Sequence, residues 1–211
     1  MKTELDAQAT SEMMQAVAHH VIANTDALTE ADLAIGDGDH GIGMRRGFEE
    51  VLEKLSVAEP DTPEAVMKIA GMAIMSKTGG AAGAIFGTVF RTGARALADN
   101  QTLDAASLGE FLAQGCEAAG KRGGAEPGQK TMLDALAPAA AAAKQAAPGG
   151  LLAALEAANA AAADGLEKTR NMIATTGKAR SLGERSIGHI DPGALSISLI
   201  IGAMRDFVTE T

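Results

Sequence analysis

The sequence predicts an all-α fold, a closed barrel or bundle of about eight antiparallel helices in a single domain over residues 1–211. The first reason is composition, because hydrophobic residues make up 46% of the chain but aromatic residues only 2%, with no Trp or Tyr. Sheets favour aromatic and β-branched residues, whereas this aliphatic composition suits close-packed helices. The second reason is that apolar residues recur at helical spacing along almost the whole chain, with no βαβ pattern.

Four helices are predicted in the N-terminal half. The first covers 10–24, with Thr10 or Ser11 as its cap and Met14, Val17 and Val21 on its apolar face. The third starts at Thr62-Pro63, because proline suits the first helical position. The apolar residues of the other helices are Phe48, Val51, Leu52 and Leu55 in the second, Val66, Ile69 and Ala73 in the third, which ends near Thr78, and Ile85, Phe86, Val89 and Phe90 in the fourth.

Four more helices are predicted in the C-terminal half. The fifth carries Leu108, Phe111, Leu112 and Cys116, and the next two cover about 131–146, which includes an alanine tract, and 150–174. The last begins after Asp191-Pro192-Gly193 and runs to about 209. Its segment LSISLI alternates like a strand, but a lone strand would have no partner in this chain, so a helix is favoured.

Many of the 25 glycines concentrate in connections between the predicted helices. The connections over 32–43, 77–82, 122–130 and 176–193 follow the first, third, fifth and seventh helices. In an up-and-down topology, alternate connections lie at the same end of the bundle. The sequence therefore predicts that these four glycine-rich connections gather at one end.

The charge and cysteine content exclude several classes of protein. The chain has 27 acidic and 18 basic residues and a net charge of −9, which argues against binding nucleic acid or an anionic membrane through a broad basic surface. Cys116 is the only cysteine, so no intrachain disulfide forms and a cytoplasmic location is expected. No signal peptide and no apolar segment long enough to span a membrane is evident.

Three carboxylates, Asp32, Asp37 and Asp39, lie in and just before the stretch IGDGDHGIGM. Glycine is tolerated where a positive φ or the close approach of a ligand is required. Oxygen ligands without Cys or paired His suit magnesium or calcium, but a calcium hand is excluded because the twelfth residue from Asp37 is Phe48 instead of glutamate. The alternative is an ordinary turn at Asp37-Gly38, with Asp39 as the cap of the next helix.

Two other glycine-rich stretches suggest anion binding. TGGAAG, over 78–83, precedes a helix, and backbone N–H groups at a helix N-terminus bind phosphate without a basic side chain. Its small residues also suit close helix packing, which is the alternative. GKARSLGERSIGHIDPG, over 177–193, places Lys178, Arg180 and Arg185 near four glycines. These cations suit either phosphate contacts or pairing with a helix C-terminus.

Four stretches together, IGDGDHG, GGAAG-x-x-FGT, RGGAEPGQKTM and LGERSIGHIDPGA, resemble the nucleotide-binding L subunit of dihydroxyacetone kinases. They occur in order over nearly the whole chain. The resemblance implies a closed barrel of eight antiparallel helices, with ADP or ATP and two Mg²⁺ ions bound in the loops at one end.

The resemblance also implies roles for particular residues. Asp32, Asp37 and Asp39 are expected to bind magnesium, and Lys178 is expected to stabilise the transferring phosphoryl group. Lys178 is also counted in the expected nucleotide pocket, whose other members are His40, Gly41, Ile42, Gly43, Ala81, Ala82, Gly123, Met132, Asp191, Pro192 and Gly193. This chain departs from the common bacterial pattern of the family at four positions. It has Gly43 for Asn, Ala82 for Ser, Gln129 for Asp and Lys178 for Arg.

The resemblance further implies partners. The ketose is expected on a separate K subunit. The phosphoryl donor is expected to be a tightly held nucleotide, whose ADP form is rephosphorylated by a phosphotransferase-system protein. An ATP-dependent kinase subunit for another short ketose and a non-catalytic regulatory paralogue are the alternatives. A homodimer is left open.

Overall fold

The computed structural model describes residues 3–210, which form nine α-helices joined mostly by short connections. Within these residues there is no extended strand, although an isolated antiparallel bridge joins Leu5 and Leu103. Short 3₁₀ helices cover Ala94–Leu97, Ala147–Gly149 and Lys178–Ser186. The α-helices are α1 (Ala7–Ala23), α2 (Thr25–Ile35), α3 (His40–Val57), α4 (Pro63–Lys77), α5 (Gly80–Gly93), α6 (Ala105–Gly123), α7 (Leu133–Ala146), α8 (Leu151–Thr169) and α9 (Pro192–Glu210).

Eight of these helices form a closed ring. From α3 to α9, each helix packs against the next one along the chain, and α1 closes the ring by packing against both α9 and α3. The remaining helix, α2, packs mainly against α3 and also contacts α9. The predicted all-helical closed barrel is confirmed, with one helix more than the apolar periodicity indicates.

The additional helix is α2, over Thr25–Ile35, and it corrects the connection predicted over 32–43. Asn24 alone separates α1 from α2, and its side-chain amide donates to the carbonyl oxygen of His20 at 2.8 Å, which ends α1. The apolar stripe of α2 is short, with Leu28, Ala31 and Ile35 as its buried hydrophobic residues. A stripe of this length is a weak periodic signal.

The other boundaries differ from the prediction by a few residues. The α1 helix begins at Ala7, because Asp6 Oδ1 accepts a hydrogen bond from the backbone N–H of Ala9, so neither Thr10 nor Ser11 is its cap. The α8 helix ends at Thr169 instead of 174. The segment LSISLI lies within α9, as predicted, and buries Ser196 and Ile197.

The interior of the ring is filled by aliphatic side chains around four buried phenylalanines, Phe48, Phe86, Phe90 and Phe111. The rings of Phe90 and Phe111 meet edge to face, with their centroids 5.8 Å apart. Alanine and glycine take the place of larger side chains where α7 and α8 pack together. No helix within 3–210 has the length and apolarity needed to cross a membrane.

The contact between α7 and α8 depends on Gly165, since a Cβ there would lie 2.1 Å from the carbonyl oxygen of Asp134. We expect Gly165→Ala to lower the free energy of unfolding by about 1–3 kcal/mol, because the clash involves backbone atoms that cannot rotate away. Gly202→Ala in α9 is the control, since its Cβ would meet only the Asn159 side chain at 3.2 Å. Chemical denaturation followed by far-UV circular dichroism measures both. Equal stability of the two variants would contradict this account of the contact.

Candidate functional site

A cavity of about 280 Å³ opens where the four glycine-rich connections meet. This volume is near the lower end of the range of pockets for small molecules. It confirms that these connections gather at one end of the ring. The lining residues are Asp32, Ile35, Asp39, His40, Gly43, Arg46, Thr78–Ala82, Ile85, Phe86, Lys130–Met132, Thr176–Ala179 and Asp191–Gly193.

The three aspartates form an acidic cluster at the edge of this cavity, in which each contributes one carboxylate oxygen and these three oxygens lie within 4.8 Å of one another. Asp32 is buried in the last turn of α2, whereas Asp37 and Asp39 are exposed in the connection to α3. A Cβ at Gly36 would lie 2.1 Å from Asp32 Oδ1, so the close return of the chain past this carboxylate requires glycine. The cluster supplies the oxygen ligands that Mg²⁺ prefers.

The hydrogen bonds in the cluster differ from those of an ordinary Asx cap. Asp39 occupies the N-cap position of α3, but its side chain makes no capping hydrogen bond. The backbone N–H of His40 instead donates to Asp32 Oδ2 at 3.1 Å, and this bond crosses from α3 to α2. The Asp37 and Asp39 carboxylates are therefore not engaged in capping α3.

The positively charged ammonium of Lys178 lies against the acidic cluster. Its Nζ donates to both carboxylate oxygens of Asp37 at 2.6 Å and to Asp39 Oδ2 at 3.0 Å. The hydrogen bond to Asp37 raises the pKa of Lys178 above its ordinary value, and the same bond lowers the pKa of Asp37. Because these groups are largely exposed, solvent screens the pairs and their contribution to stability is small.

His40 lines the cavity at the start of α3, and its Nε2 lies 2.8 Å from Ser196 Oγ of α9. The Ser196 hydroxyl also lies 3.1 Å from the carbonyl oxygen of Pro192, so it has two neighbours with which it can form hydrogen bonds. Burial lowers the pKa of His40, which favours the neutral ring at pH 7.

The second wall of the cavity is the glycine loop that begins α5. Gly79 and Gly80 have φ of 79° and 56°, in the left-handed region that glycine favours. Ala81 and Ala82 follow in the first turn of α5, where backbone N–H groups are not used within the helix and carry partial positive charge. The loop packs closely on α3, since a Cβ at Gly43 would lie 2.8 Å from the carbonyl oxygen of Thr78.

Arg46 and Thr78 are lining residues that the sequence analysis misses. Arg46 Nη2 donates to the carbonyl oxygen of Thr78 at 3.4 Å, so a guanidinium lies beside the glycine loop. The hydroxyl of Thr78 is buried and has no hydrogen-bond partner among the described residues. A signal for Arg46 exists, because it follows His40 and Gly43 at intervals of three residues on one face of α3.

The third wall contains Lys130 and Asp191, of which only Asp191 is predicted from the sequence. Asp191 Oδ2 accepts a hydrogen bond from Ala194 N at 2.7 Å in the first turn of α9. Burial raises the pKa of Asp191 to about 7, and the nearby Lys130 ammonium opposes this rise. Burial also lowers the pKa of Lys130.

Most of the predicted site residues lie together, but four are not in the cavity lining. Gly41 packs against α2, where a Cβ would lie 2.3 Å from the Thr25 carbonyl oxygen, and the Ile42 side chain is exposed. Gly123 is at the end of α6, where a Cβ would lie 3.3 Å from Ile85 Cδ1. Asp37 reaches the site through Lys178.

Comparison with known proteins identifies relatives of this chain. The family model described as DAK2 domain matches residues 34–206. The chain is 41% identical over 181 residues to the "PEP-dependent dihydroxyacetone kinase 1, ADP-binding subunit DhaL" of Listeria innocua, with 86% of each protein covered. It is 40% identical over 179 residues to the "PEP-dependent dihydroxyacetone kinase, ADP-binding subunit DhaL" of Escherichia coli, which covers 84% of this chain and 85% of that subunit. The L-erythrulose 1-kinase of Mycolicibacterium smegmatis is 33% identical over 193 residues, or 90% of this chain but 34% of that enzyme.

The fold also matches a solved structure. The crystal structure of the dihydroxyacetone kinase of C. freundii in its native form superposes with a TM-score of 0.74 at 24% identity, over 98% of this chain and 36% of that chain. The structure of the C. freundii enzyme in complex with AMP-PNP and Mg²⁺ gives a TM-score of 0.72 at 23% identity, over 96% of this chain and 34% of that chain. Since the DAK2 model and the sequence relatives both extend over most of the sequence, this chain belongs to the DAK2 domain family, together with the DhaL subunits of bacterial dihydroxyacetone kinases.

Proposed function

We propose that this chain is the nucleotide-binding phosphotransferase subunit of a dihydroxyacetone-type kinase. It would hold magnesium with ADP or ATP and pass the phosphoryl group to a short ketose bound on a separate K subunit. The observation that carries the proposal is the convergence of the three carboxylates beside a cavity that the N-terminus of α5 also lines. Relatives named as ADP-binding DhaL subunits support it.

The acidic cluster fits a divalent cation, because its oxygens converge and already attract the Lys178 ammonium. Asp32, Asp37 and Asp39 would hold Mg²⁺, and a structural neighbour described with AMP-PNP and Mg²⁺ supports this choice. When bound, magnesium neutralises the negative charge that polyphosphate oxygens carry. The number of ions follows the family expectation of two.

The walls of the cavity offer separate surfaces to the two parts of a nucleotide. The backbone N–H groups of Ala81 and Ala82, at the N-terminus of α5, are suited to phosphate oxygens. Ile85, Phe86 and Met132 supply apolar side chains that suit a nucleobase. The His40 ring would offer a nitrogen for a hydrogen bond to the ligand within the same cavity.

Lys178 is the residue that we assign to catalysis. Its ammonium already lies against Asp37 and Asp39, the two exposed members of the metal cluster. From this position the ammonium would stabilise negative charge on a transferring phosphoryl group bound beside the cluster. A lysine supplies this charge as a point donor, whereas an arginine would offer a fork of donors.

The donor regime that we propose is tightly held ADP, recharged by a phosphotransferase-system protein in the cytoplasm. The supporting observation is that relatives named as PEP-dependent or PTS-dependent subunits are 36–41% identical to this chain. The kinases named for erythrulose are 32–33% identical. These relatives support another short ketose as the alternative substrate of this chain.

We expect Asp37→Asn to weaken magnesium-dependent ADP binding by about tenfold or more, because an anionic oxygen ligand is lost. Isothermal titration calorimetry with and without Mg²⁺ measures the change, and circular dichroism should show an unchanged helix content. Asp61→Asn is the matched control, since Asp61 is an exposed carboxylate outside the cluster. Unchanged affinity in Asp37→Asn would remove this aspartate from the metal site.

We expect the purified chain to phosphorylate no ketose with ATP in the absence of other proteins. Turnover should appear when a ketose-binding K subunit from a relative is added, and the phosphotransferase regime predicts a further requirement for a phosphorylated donor protein. Dihydroxyacetone and erythrulose, assayed side by side, identify the substrate. Turnover by the chain alone would refute the division of labour, and failure to bind any nucleotide would favour a non-catalytic regulator.

We expect Lys178→Ala to lower turnover in the reconstituted complex by about 10²–10³, the usual effect of losing one preorganised donor to developing negative charge. Lys178→Arg should retain activity, because the positive charge is kept. Arg180→Ala is the control, since Arg180 does not line the cavity in the described structure. If Arg180→Ala alone loses activity, the catalytic assignment is wrong by two residues.

A further inference from the structure

Lys130 has an unusual backbone conformation for its residue type. Its φ is 60°, and it is the one residue other than glycine with a positive φ within 3–210. A lysine in the left-handed region carries an energetic cost that persists when the surroundings require it. Hydrogen bonds fix the backbone on both sides of Lys130, because Gly128 N and Thr131 N both donate to the Asp134 carboxylate.

The Lys130 side chain enters the protein instead of the solvent, and 2% of its surface is exposed. Its ammonium donates to the carbonyl oxygens of Thr169 and His189, each at 2.5 Å. Thr169 is the last residue of α8, so its carbonyl oxygen lies at the negative end of the helix dipole, where it also accepts a hydrogen bond from Met172 N at 3.1 Å. The ammonium therefore adds a charged donor at the C-terminus of α8.

The two acceptors of Lys130 have a particular place in the chain. The segment between them, residues 170–188, leaves α8 and returns just before α9, and it carries Lys178 to the acidic cluster. We call residues 170–188 the Lys178 segment. Lys130 joins its two ends through one ammonium group.

Two other hydrogen bonds lie at the same narrow base. Gly188 N donates to the Arg170 carbonyl oxygen at 2.8 Å, and Asp191 N donates to Thr169 Oγ1 at 2.9 Å. Beyond the base, the segment is mostly exposed, and Lys178 itself is held only by largely exposed ion pairs. Exposed pairs of this kind contribute little ordering free energy. Buried hydrogen bonds constrain the segment more than these pairs do: Ala174 N donates to Ser186 Oγ at 2.9 Å within it, and the Lys130 ammonium contacts both of its ends at the base.

We propose that Lys130 is a positioning residue that clamps the base of the Lys178 segment and so holds Lys178 over the acidic cluster. The clamp is a property of the fold and does not depend on the ligand. Its consequence for phosphoryl transfer rests on the proposed function. A lysine suits this place because an ammonium has three donors and a stem long enough to reach a buried pair of carbonyls.

The clamp can be tested by limited tryptic digestion of the full chain under native conditions, because Lys178, Arg180 and Arg185 lie in the segment. In Lys130→Met and Lys130→Gly, we expect cleavage at Arg180 and Arg185 to be about tenfold faster than in the unaltered chain, with cleavage elsewhere unchanged. Lys130→Gly keeps a residue that tolerates the positive φ, so it separates loss of the ammonium from backbone strain. Lys121→Met, which removes an exposed lysine of α6, is the control.

Two outcomes of the digestion would overturn the proposal. One is cleavage at Arg180 and Arg185 that is no faster than in Lys121→Met. The other is faster cleavage along the whole chain in both Lys130 variants, or failure of both to fold, because either result would make Lys130 a general stabilising residue. Hydrogen exchange of the 170–188 amides provides an independent measurement of the same opening.

A second measurement addresses catalysis in the reconstituted complex. If Lys130 acts through Lys178, the double variant Lys130→Gly with Lys178→Ala should lose no more turnover than Lys178→Ala alone, whereas independent roles would give multiplied losses. Multiplied losses would overturn the link to Lys178. If the unaltered chain shows no turnover with its partners, the proposed function fails, and the digestion still decides whether the clamp exists.

Discussion

Closure of the helical ring is the constraint on which the rest of the structure depends. The contact of α1 with α9 closes the ring, and each helix from α3 to α9 packs against the next one along the chain. In an up-and-down arrangement of such helices, every second connection lies at the same end. The four connections that line the cavity are brought together by this geometry, although they are far apart in the sequence. The site is thus a consequence of how the core is packed.

An acidic chain with a net charge of −9 can bind an anion only through local features. The cavity concentrates three of them: the backbone N–H groups at the start of α5, the guanidinium of Arg46 and the Lys178 ammonium. The acidic cluster adds a fourth if it holds a metal, because a divalent cation reverses the sign of the local charge. Lys178 compensates part of the negative charge of this cluster through its ion pairs with Asp37 and Asp39.

The connections from α6 to α7 and from α8 to α9 are held in part by buried polar groups. Asp134 accepts hydrogen bonds from both sides of Lys130, and Lys130 donates to both ends of the Lys178 segment. Thr169 and Asp191 complete the set at the junction of α8 and α9. Each of these groups would be costly to bury alone, so the set is stable only when all its members are paired. This dependence makes the loops as specific in structure as the helices that they connect.

Features that depend on residues close together in the chain could be predicted from the sequence. Helical periodicity placed eight of the nine α-helices of the described chain, and Asp32, Asp37 and Asp39 were recognisable because they lie within eight residues. The α2 helix was missed because a single residue, Asn24, separates it from α1 and its apolar stripe is short. The resemblance to a known family supplied the residues of the expected pocket, which periodicity alone does not select.

Contacts between residues that are far apart in the sequence could be found only from the tertiary structure. Lys178 and Asp37 are separated by 141 positions, and Lys130 and His189 by 59, so no local pattern predicts their contact. Arg46 and Lys130 were not among the residues predicted for the site, because their roles depend on residues that the fold brings near them. A buried ammonium and a left-handed lysine result from this long-range packing. The sequence gives the type of such residues, but the whole fold sets their surroundings and therefore their chemistry.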